Sequence, residues 1–302
     1  MLAIIAPGQG SQTPEMLNSW IANPELKLLV ESWSQSIDLD LLRLGTTADA
    51  DEIKDTSNAQ PLIVATSLLA AHALGLGHCA VTSGHSVGEV AAAAISGAIS
   101  FKDALSLVRS RGIEMAKAAA ASPAGMSAVL GGDRDEVLSA IAALNLVAAN
   151  DNGAGQIVAA GDLTALAELS DNPPAGARVR ALAVAGAFHT SFMQPAVEPL
   201  RAKAASIATH PVQINVISNK DGQVVSEGAE VLTRIVNQIA NPVRWDLCME
   251  MMKSLGVTGV IELPPAGTLV GLLKRAASEI ETFALKSADD LSAARDFAER
   301  HK

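Results

Sequence analysis

Aromatic residues are scarce in this chain of 302 residues, which contains five Phe, three Trp and no Tyr. Proteins that bind single-stranded nucleic acid stack bases on aromatic side chains, and few are available here. Basic residues are also outnumbered, with 22 Lys and Arg against 32 Asp and Glu, and they form no basic block. The composition therefore argues against nucleic acid as a partner.

Long hydrophobic runs and cysteines are lacking as well. No apolar stretch reaches the roughly 20 uninterrupted residues of a membrane span, and the apolar N-terminus lacks the basic leader and cleavage site of a signal peptide. Cys79 and Cys248 are too few and too far apart to suggest a disulfide framework or a metal cluster. We expect a soluble, cytoplasmic protein that does not bind membranes.

Strand-like and helix-like segments alternate along most of the chain, and this order predicts an α/β protein with a mostly parallel sheet. Half of the residues are hydrophobic (49%) and 18% are charged, which is typical of a compact globular enzyme. Outside the middle of the chain, strands are predicted at 2–7, 78–83, 213–219, 259–264 and 282–286, and helices at 59–75, starting near Pro61, and at 230–240.

The middle of the chain has a different pattern. Strands are predicted at 126–132, 146–150, 156–161 and 177–185, and helices at 133–145 and 162–170. The order βαββαβ is that of the ferredoxin-like arrangement. We therefore predict a small ferredoxin-like domain, residues 124–186, inserted into a large hydrolase-like α/β domain formed by residues 1–123 and 187–302.

The segment Gly84-His85-Ser86-Val87-Gly88 matches the G-x-S-x-G pattern and lies between a predicted strand and an alanine-rich helix. One explanation is a tight turn that uses the backbone freedom of Gly84 and Gly88. The other is a turn that exposes the Ser86 hydroxyl at the carboxyl edge of the sheet, beside a helix N-terminus that favours developing negative charge. We favour the second and predict that Ser86 is a nucleophile.

A nucleophilic serine requires a base. His189 is the best placed of the histidines, because it lies where the inserted domain would return to the large one; a buried histidine with a structural role is the alternative. His85 and Glu89 are four residues apart, a spacing at which two side chains can share a metal ion. Because no third ligand lies near them in the sequence, we predict no metal site.

In the helix predicted over residues 103–121, the face on which each side chain lies follows from a rotation of about 100° per residue around the helix axis. Arg111 lies within its apolar stripe, whereas Arg109 and Lys117 lie on the opposite side, where solvent is expected. A buried guanidinium needs a partner. An internal carboxylate and a substrate carboxylate, held by the planar fork, are both compatible with the pattern.

Six motifs occur here in the order found in malonyl-CoA:acyl carrier protein transacylases, and the chain resembles that family over nearly its whole length. The motifs are PGQGSQ (7–12), GHSVGE (84–89), RG (111–112), NGAGQIVAAG (152–161), GAFH (186–189) and NPVRW (241–245). The chain is most similar to the stand-alone bacterial enzymes of type II fatty acid synthesis. Many members have GPG where this chain has LPPAGTL (263–269), a difference without a predicted role.

The resemblance implies an acyl exchange in two steps, from malonyl-CoA to Ser86 and from Ser86 to acyl carrier protein. His189 would be the general base, oriented by the main-chain carbonyl of Gln238. The backbone N–H groups of Gln9 and Val87 would form the oxyanion hole.

Substrate selection follows from the same resemblance. Arg111 would bind the malonyl carboxylate, and the Phe188 ring would leave little room for an α-methyl group. No bound cofactor is expected, and we expect a monomer.

Two other functions fit parts of the pattern. A serine esterase or thioesterase could use the same serine turn, although hydrolases of this type usually have their histidine late in the chain. A binding module that keeps the fold without activity is disfavoured, because Ser86, His189 and Arg111 are all present.

The carrier protein raises an electrostatic difficulty. Such carriers are acidic, and this chain has a net charge of −10, so docking requires a local basic patch. We predict that Lys274 and Arg275 contribute to it, with Arg201 and Lys203 as further candidates. A solvated helix face is the alternative.

Overall fold

A computed structural model describes residues 1–75 and 79–302. The strands are β1 (Leu2–Ala6), β2 (Val81–Gly84), β3 (Ala124–Gly131), β4 (Val147–Asp151), β5 (Gln156–Asp162), β6 (Ala177–Ala181), β7 (Asn215–Ile217), β8 (Val224–Val225), β9 (Val243–Arg244), β10 (Gly259–Glu262) and β11 (Glu281–Ala284). The α-helices are α1 (Asn18–Ile21), α2 (Pro24–Ile37), α3 (Leu41–Thr46), α4 (Thr56–Leu74), α5 (Gly88–Ile95), α6 (Phe101–Ala120), α7 (Arg134–Ala143), α8 (Leu163–Asp171), α9 (Gln194–Ala204), α10 (Gly228–Gln238), α11 (Trp245–Ser254), α12 (Thr268–Ala276) and α13 (Leu291–Arg300). His78, the first residue of a predicted strand, lies outside the described residues.

The larger sheet has the strand order β11-β10-β1-β2-β7-β8 and is parallel from β11 to β7. Strand β1 is apolar throughout because it is covered on both faces. Its Ile4 packs into the core that includes helices α4 to α6, and its Ile5 packs into the core that includes α11 and α12. The predicted α/β class is confirmed.

The carboxyl ends of β1 and β2 lie side by side, since Ala6 pairs with Gly84. The two turns that follow these strands, PGQG and GHSVG, therefore leave the sheet at the same edge. Clefts of parallel α/β sheets form at this edge. The candidate nucleophile and the glycine-rich N-terminal turn are brought together in this way.

Helix α4 begins at Thr56, not near Pro61 as expected, and Pro61 lies inside it. A proline in a helix leaves the carbonyl four residues earlier without its N–H donor. Here the Ser57 carbonyl accepts a hydrogen bond from Arg109 Nη1 at 2.9 Å. The expectation that Arg109 faces solvent is therefore wrong: its side chain lies between α6 and α4 and replaces the missing donor.

The second sheet has the strand order β6-β3-β5-β4-β9, and its first three pairings are antiparallel. The first four strands follow the spatial order of a ferredoxin-like βαββαβ unit. Strand β9, which comes from outside residues 124–186, pairs in parallel with β4 and extends the sheet. Strand β6 ends at Ala181, four residues before the predicted end. The domain boundaries at 123/124 and 186/187 stay a prediction.

In the described ranges 1–75 and 79–302, every helix is too short or too polar to cross a membrane.

Candidate active site

Ser86 lies in a sharp turn between β2 and α5 and adopts a left-handed backbone conformation, with φ of 53°. Such a conformation is strained for a residue other than glycine. Gly84 and Gly88 serve close packing rather than backbone freedom: a Cβ on Gly84 would lie 2.0 Å from the Gly88 carbonyl carbon, and one on Gly88 would lie 2.3 Å from the Ala6 carbonyl oxygen. The two glycines let the turn close, and Ser86 carries the strain.

His189 is 3% exposed, and its Nε2 lies 2.7 Å from Ser86 Oγ. Its other ring nitrogen, Nδ1, lies 2.9 Å from the Gln238 carbonyl oxygen. A carbonyl oxygen only accepts, so Nδ1 carries the proton and Nε2 is free to accept the Ser86 hydroxyl proton. The geometry is that of a serine with an adjacent, oriented base.

Burial, reinforced by the positive charge of Arg111, lowers the pKa of His189 to about 3. Because the protonated form is the disfavoured one, the imidazole stays neutral as the pH falls and gains its proton only near pH 3. We expect ¹⁵N NMR of the imidazole nitrogens to show a neutral ring from pH 8 to pH 5. A titration centred near the ordinary value of about 6.5 would contradict the buried environment.

Arg111 is 1% exposed and donates hydrogen bonds to two amide oxygens: from Nη1 to Gln60 Oε1 at 2.7 Å and from Nη2 to Gln238 Oε1 at 2.8 Å. Its Nη2 also lies 3.5 Å from Ser86 Oγ. Desolvation lowers the pKa of Arg111 to about 10, against the opposing effect of Glu89. Within residues 1–75 and 79–302, Arg111 forms no ion pair with a carboxylate, and its Nε has no hydrogen-bond partner.

Two backbone N–H groups remain available beside the serine. Among the hydrogen bonds of the described residues, none is donated by the main-chain nitrogen of Gln9 or of Val87. Gln9 lies in the turn after β1, where its side chain contacts Thr56 and Gln60, and Val87 precedes the first residue of α5. Both groups belong to the turns at the carboxyl edge of the larger sheet.

A cavity of about 250 Å³ opens at this edge. Ser86, His189 and the buried Phe188 ring form part of its lining. The two sheets both contribute: the remaining residues that line it are Gly8, Gln9, Gly10, Ser11, Gln60, His85, Met115, Met126, Asn150, Asn152, Gln156, Val158, Leu182, Val184, Thr268, Leu269 and Leu272. The last three include the end of the LPPAGTL segment, which thus forms part of the cavity wall.

The acyl transferase domain model matches residues 4–295. The chain belongs to the acyl transferase family. It is 53% identical over 296 residues to the malonyl CoA-acyl carrier protein transacylase of Mycobacterium tuberculosis, covering 96% of this chain and 98% of the relative. The resemblance inferred from the six motifs is confirmed.

Solved structures agree with this assignment. The crystal structure of MCAT from Mycobacterium tuberculosis has a TM-score of 0.95 at 52% identity, covering 98% of this chain and 99% of the other. A malonyl-transacylase solved in complex with its type II PKS acyl-carrier protein has a TM-score of 0.92 at 28% identity, covering 98% of this chain and 99% of that one.

In this acyl transferase, His85 and Glu89 make separate contacts and do not form a ligand pair. His85 Nε2 lies 2.8 Å from Asn152 Oδ1, whereas Glu89 accepts hydrogen bonds from Asn219 and Gln238. Across the described part of the chain, no three His, Cys, Asp or Glu side chains are grouped so that they could hold a metal ion.

Gln60 and Asn219 were not identified as site residues from the sequence, and Gln238 was assigned a role for its main-chain carbonyl but not for its side chain. Asn219 is the second residue after β7 and could have been found, because polar residues that follow a parallel strand lie at the cleft edge. Gln60 could not, since it is one of several buried polar residues in α4 and nothing in the local sequence separates it from Thr66 or Ser67. Its contact with Arg111 depends on the packing of α4 against α6.

Of the basic residues proposed for carrier docking, Lys274 and Arg275 lie at the end of α12, whose first turn lines the cavity, and Arg201 and Lys203 lie at the end of α9. Lys274 and Arg275 are exposed, and neither forms an ion pair with another residue of the described ranges. Arg201 differs, because it is paired with Glu198.

Proposed function

We propose that this acyl transferase moves the malonyl group from malonyl-CoA to the phosphopantetheine thiol of acyl carrier protein through an ester on Ser86. The observation that carries the proposal is the buried Arg111 guanidinium, 3.5 Å from the Ser86 hydroxyl and without a carboxylate partner among the described residues. In a malonyl thioester, a single methylene separates the carboxylate from the carbonyl that is attacked. A cation adjacent to the nucleophile suits that spacing. The names of the relatives support the same substrate and acceptor.

In the first step, Ser86 Oγ attacks the thioester carbonyl while His189 Nε2 takes the hydroxyl proton. The carbonyl oxygen becomes an oxyanion, for which the free N–H groups of Gln9 and Val87 are available. When the tetrahedral intermediate collapses, the C–S bond breaks, and His189 returns the proton to the CoA thiolate. A malonyl ester of Ser86 remains.

In the second step, the pantetheine thiol of the carrier gives its proton to His189 and attacks the ester carbonyl. The C–O bond to Ser86 breaks, and the proton passes to the serine oxygen. The Gln238 carbonyl holds the same histidine tautomer in both steps. Serine, histidine and backbone donors supply all the groups that this exchange needs, so the mechanism requires no cofactor.

Acyl selection has two parts in this proposal. Arg111 binds the carboxylate, because its planar group can donate to both carboxylate oxygens. Phe188 lines the cavity next to His189, and its ring limits the space at the α-carbon of the acyl group. Together they favour an unbranched acyl group that ends in a carboxylate.

A direct test is mass spectrometry of the protein after brief exposure to malonyl-CoA, with Ser86→Ala as the matched variant. We expect one malonyl adduct on Ser86, no adduct in the variant, and discharge by holo carrier protein faster than by water. An adduct lost to water alone would identify a thioesterase instead. Absence of any adduct would refute the proposed intermediate.

The proposed docking patch predicts a selective defect. Reversing both charges in Lys274→Glu/Arg275→Glu should raise the apparent KM for acyl carrier protein by about 10-fold, because rim charges chiefly steer association. Acylation by malonyl-CoA should not change. Steady-state kinetics at low and high salt measure both effects. Lys27→Glu on α2, a surface lysine outside the proposed patch, is the control. An unchanged KM for the carrier would exclude the patch.

The proposal extends to the setting of the reaction. Ser86, His189, Arg111 and Gln238 all come from one chain, so a monomer has a complete site. We place the enzyme in the cytoplasm, where CoA thioesters and acyl carrier proteins meet.

A further inference from the structure

Glu89 is a buried carboxylate that the proposed reaction does not use. It lies in the first turn of α5, three residues after Ser86, and is 3% exposed. Its Oε1 accepts a hydrogen bond from the Asn219 backbone N–H at 2.6 Å, and its Oε2 accepts one from Gln238 Nε2. Because burial of an unpaired carboxylate is costly, these contacts offset part of the cost of its charge.

Both partners of Glu89 also hold the backbone of the nucleophile. Asn219 Oδ1 accepts a hydrogen bond from the Ser86 N–H at 2.8 Å, and Gln238 Nε2 donates to the Ser86 carbonyl at 3.1 Å. The strained peptide of Ser86 is thus fixed from both sides by groups that Glu89 anchors.

The Gln238 side chain lies between two opposite charges. Its Oε1 faces the Arg111 guanidinium, and its Nε2 faces the Glu89 carboxylate. A flipped amide would place its NH₂ against the guanidinium, donor against donor, and its oxygen against the carboxylate, acceptor against acceptor. The two charges therefore select one orientation of the amide, and that orientation presents an acceptor to Arg111.

We propose that Glu89 is a positioning residue for malonyl transfer: it fixes the Gln238 amide, and through that amide it sets the direction in which Arg111 meets the substrate carboxylate. The inference rests on the proposed function and deepens it. Glu89 itself touches neither the substrate nor the reacting atoms.

Charged and titratable groups approach Glu89 from three helices. Arg111 comes from α6 and Cys248 from α11. Arg234 comes from α10, lines a small cavity with Glu89 and is paired with Asp221.

Desolvation raises the pKa of Glu89 to about 7, and the hydrogen bonds and Arg111 act against this rise. As the pH falls through this value, protonation removes the charge that orients Gln238. The preference for malonyl over acetyl groups should then decrease.

The test compares kcat/KM for acylation by malonyl-CoA and by acetyl-CoA, which lacks the carboxylate. In Glu89→Gln we expect the malonyl-to-acetyl ratio to fall by about 10-fold to 100-fold, the range of one charged hydrogen bond. In an Arg111→Ala background, Glu89→Gln should lower the ratio no further, because both changes remove the same interaction. In the unmodified enzyme the ratio should fall from pH 8 to pH 6, and in Glu89→Gln it should be independent of pH.

Glu262→Gln is the matched control, because Glu262 is another buried acid whose oxygens accept backbone N–H groups, those of Gly267, Leu269 and Val270. We expect it to lower Tm and leave the ratio unchanged.

An unchanged ratio in Glu89→Gln, or an equal fall in Glu262→Gln, would overturn the positioning role. If Glu89→Gln does not fold, the pH dependence of the unmodified enzyme provides the test. A malonyl-to-acetyl ratio that does not change from pH 8 to pH 6 would overturn the positioning role. Lack of a malonyl ester on Ser86 would instead overturn the proposed function.

Discussion

Replacing His189 with alanine is expected to slow acylation of Ser86 by malonyl-CoA by about 10⁴-fold or more. The change removes the only base in contact with the Ser86 hydroxyl within the described ranges, and a neutral serine hydroxyl is a weak nucleophile. Quenched-flow mass spectrometry of the adduct under single-turnover conditions measures the rate. Circular dichroism verifies the fold, because the Gln238 carbonyl loses its partner.

His85→Ala is the control for this experiment, since His85 also lines the cavity but bonds to Asn152. Its effect on acylation should remain below about 10-fold, the scale of one neutral hydrogen bond. An equal loss in both variants would refute the assignment of His189 as the base.

Arg111→Ala is expected to lower kcat/KM for malonyl-CoA by about 10²-fold to 10³-fold and to change the value for acetyl-CoA by less than about 10-fold. In the variant, a substrate carboxylate would lose the buried cationic donor that we propose for it, which is costly, whereas an acetyl group has no such requirement. Loss of the positive charge should also raise the pKa of His189, because Arg111 helps to depress it. Acetyl transfer should therefore keep an active base.

The matched control is Arg109→Ala, which removes an arginine from the same helix. Arg109 donates a hydrogen bond to the Ser57 carbonyl and to none of the proposed site residues. Its loss should therefore lower Tm and leave the preference for malonyl groups unchanged. Equal losses with both substrates in Arg111→Ala would indicate a structural arginine and refute the proposed carboxylate contact.

The serine turn and the inward arginine could be predicted because local rules determine them. A strand, a G-x-S-x-G turn and a helix place Ser86 at the sheet edge, and an angle of about 100° per residue places Arg111 on the buried face of α6. The mixed α/β fold followed from the alternation of segments in the same way.

The supporting network could not be predicted, because it depends on contacts between distant elements. Glu89 meets Gln238 across 149 residues of sequence and Asn219 across 130. Pro61 gave a wrong helix start for the same reason, since the group that compensates for it is Arg109 of another helix. The two-residue strand β9 is too short to be recognised without its neighbour β4.

Part of the cavity wall and the nucleophile come from different sheets, and this affects how the enzyme can evolve. Met126 and Val158, on β3 and β5, line the cavity from the second sheet, whereas Ser86 lies at the edge of the larger sheet. Neither residue is among the hydrogen-bond partners of Ser86, so substitutions at these two positions should change the cavity wall and leave those hydrogen bonds in place. This part of the cavity wall and the hydrogen-bonded serine thus come from different stretches of chain. Mutations in one stretch can therefore reshape the cavity while the residues that hold the nucleophile stay constant.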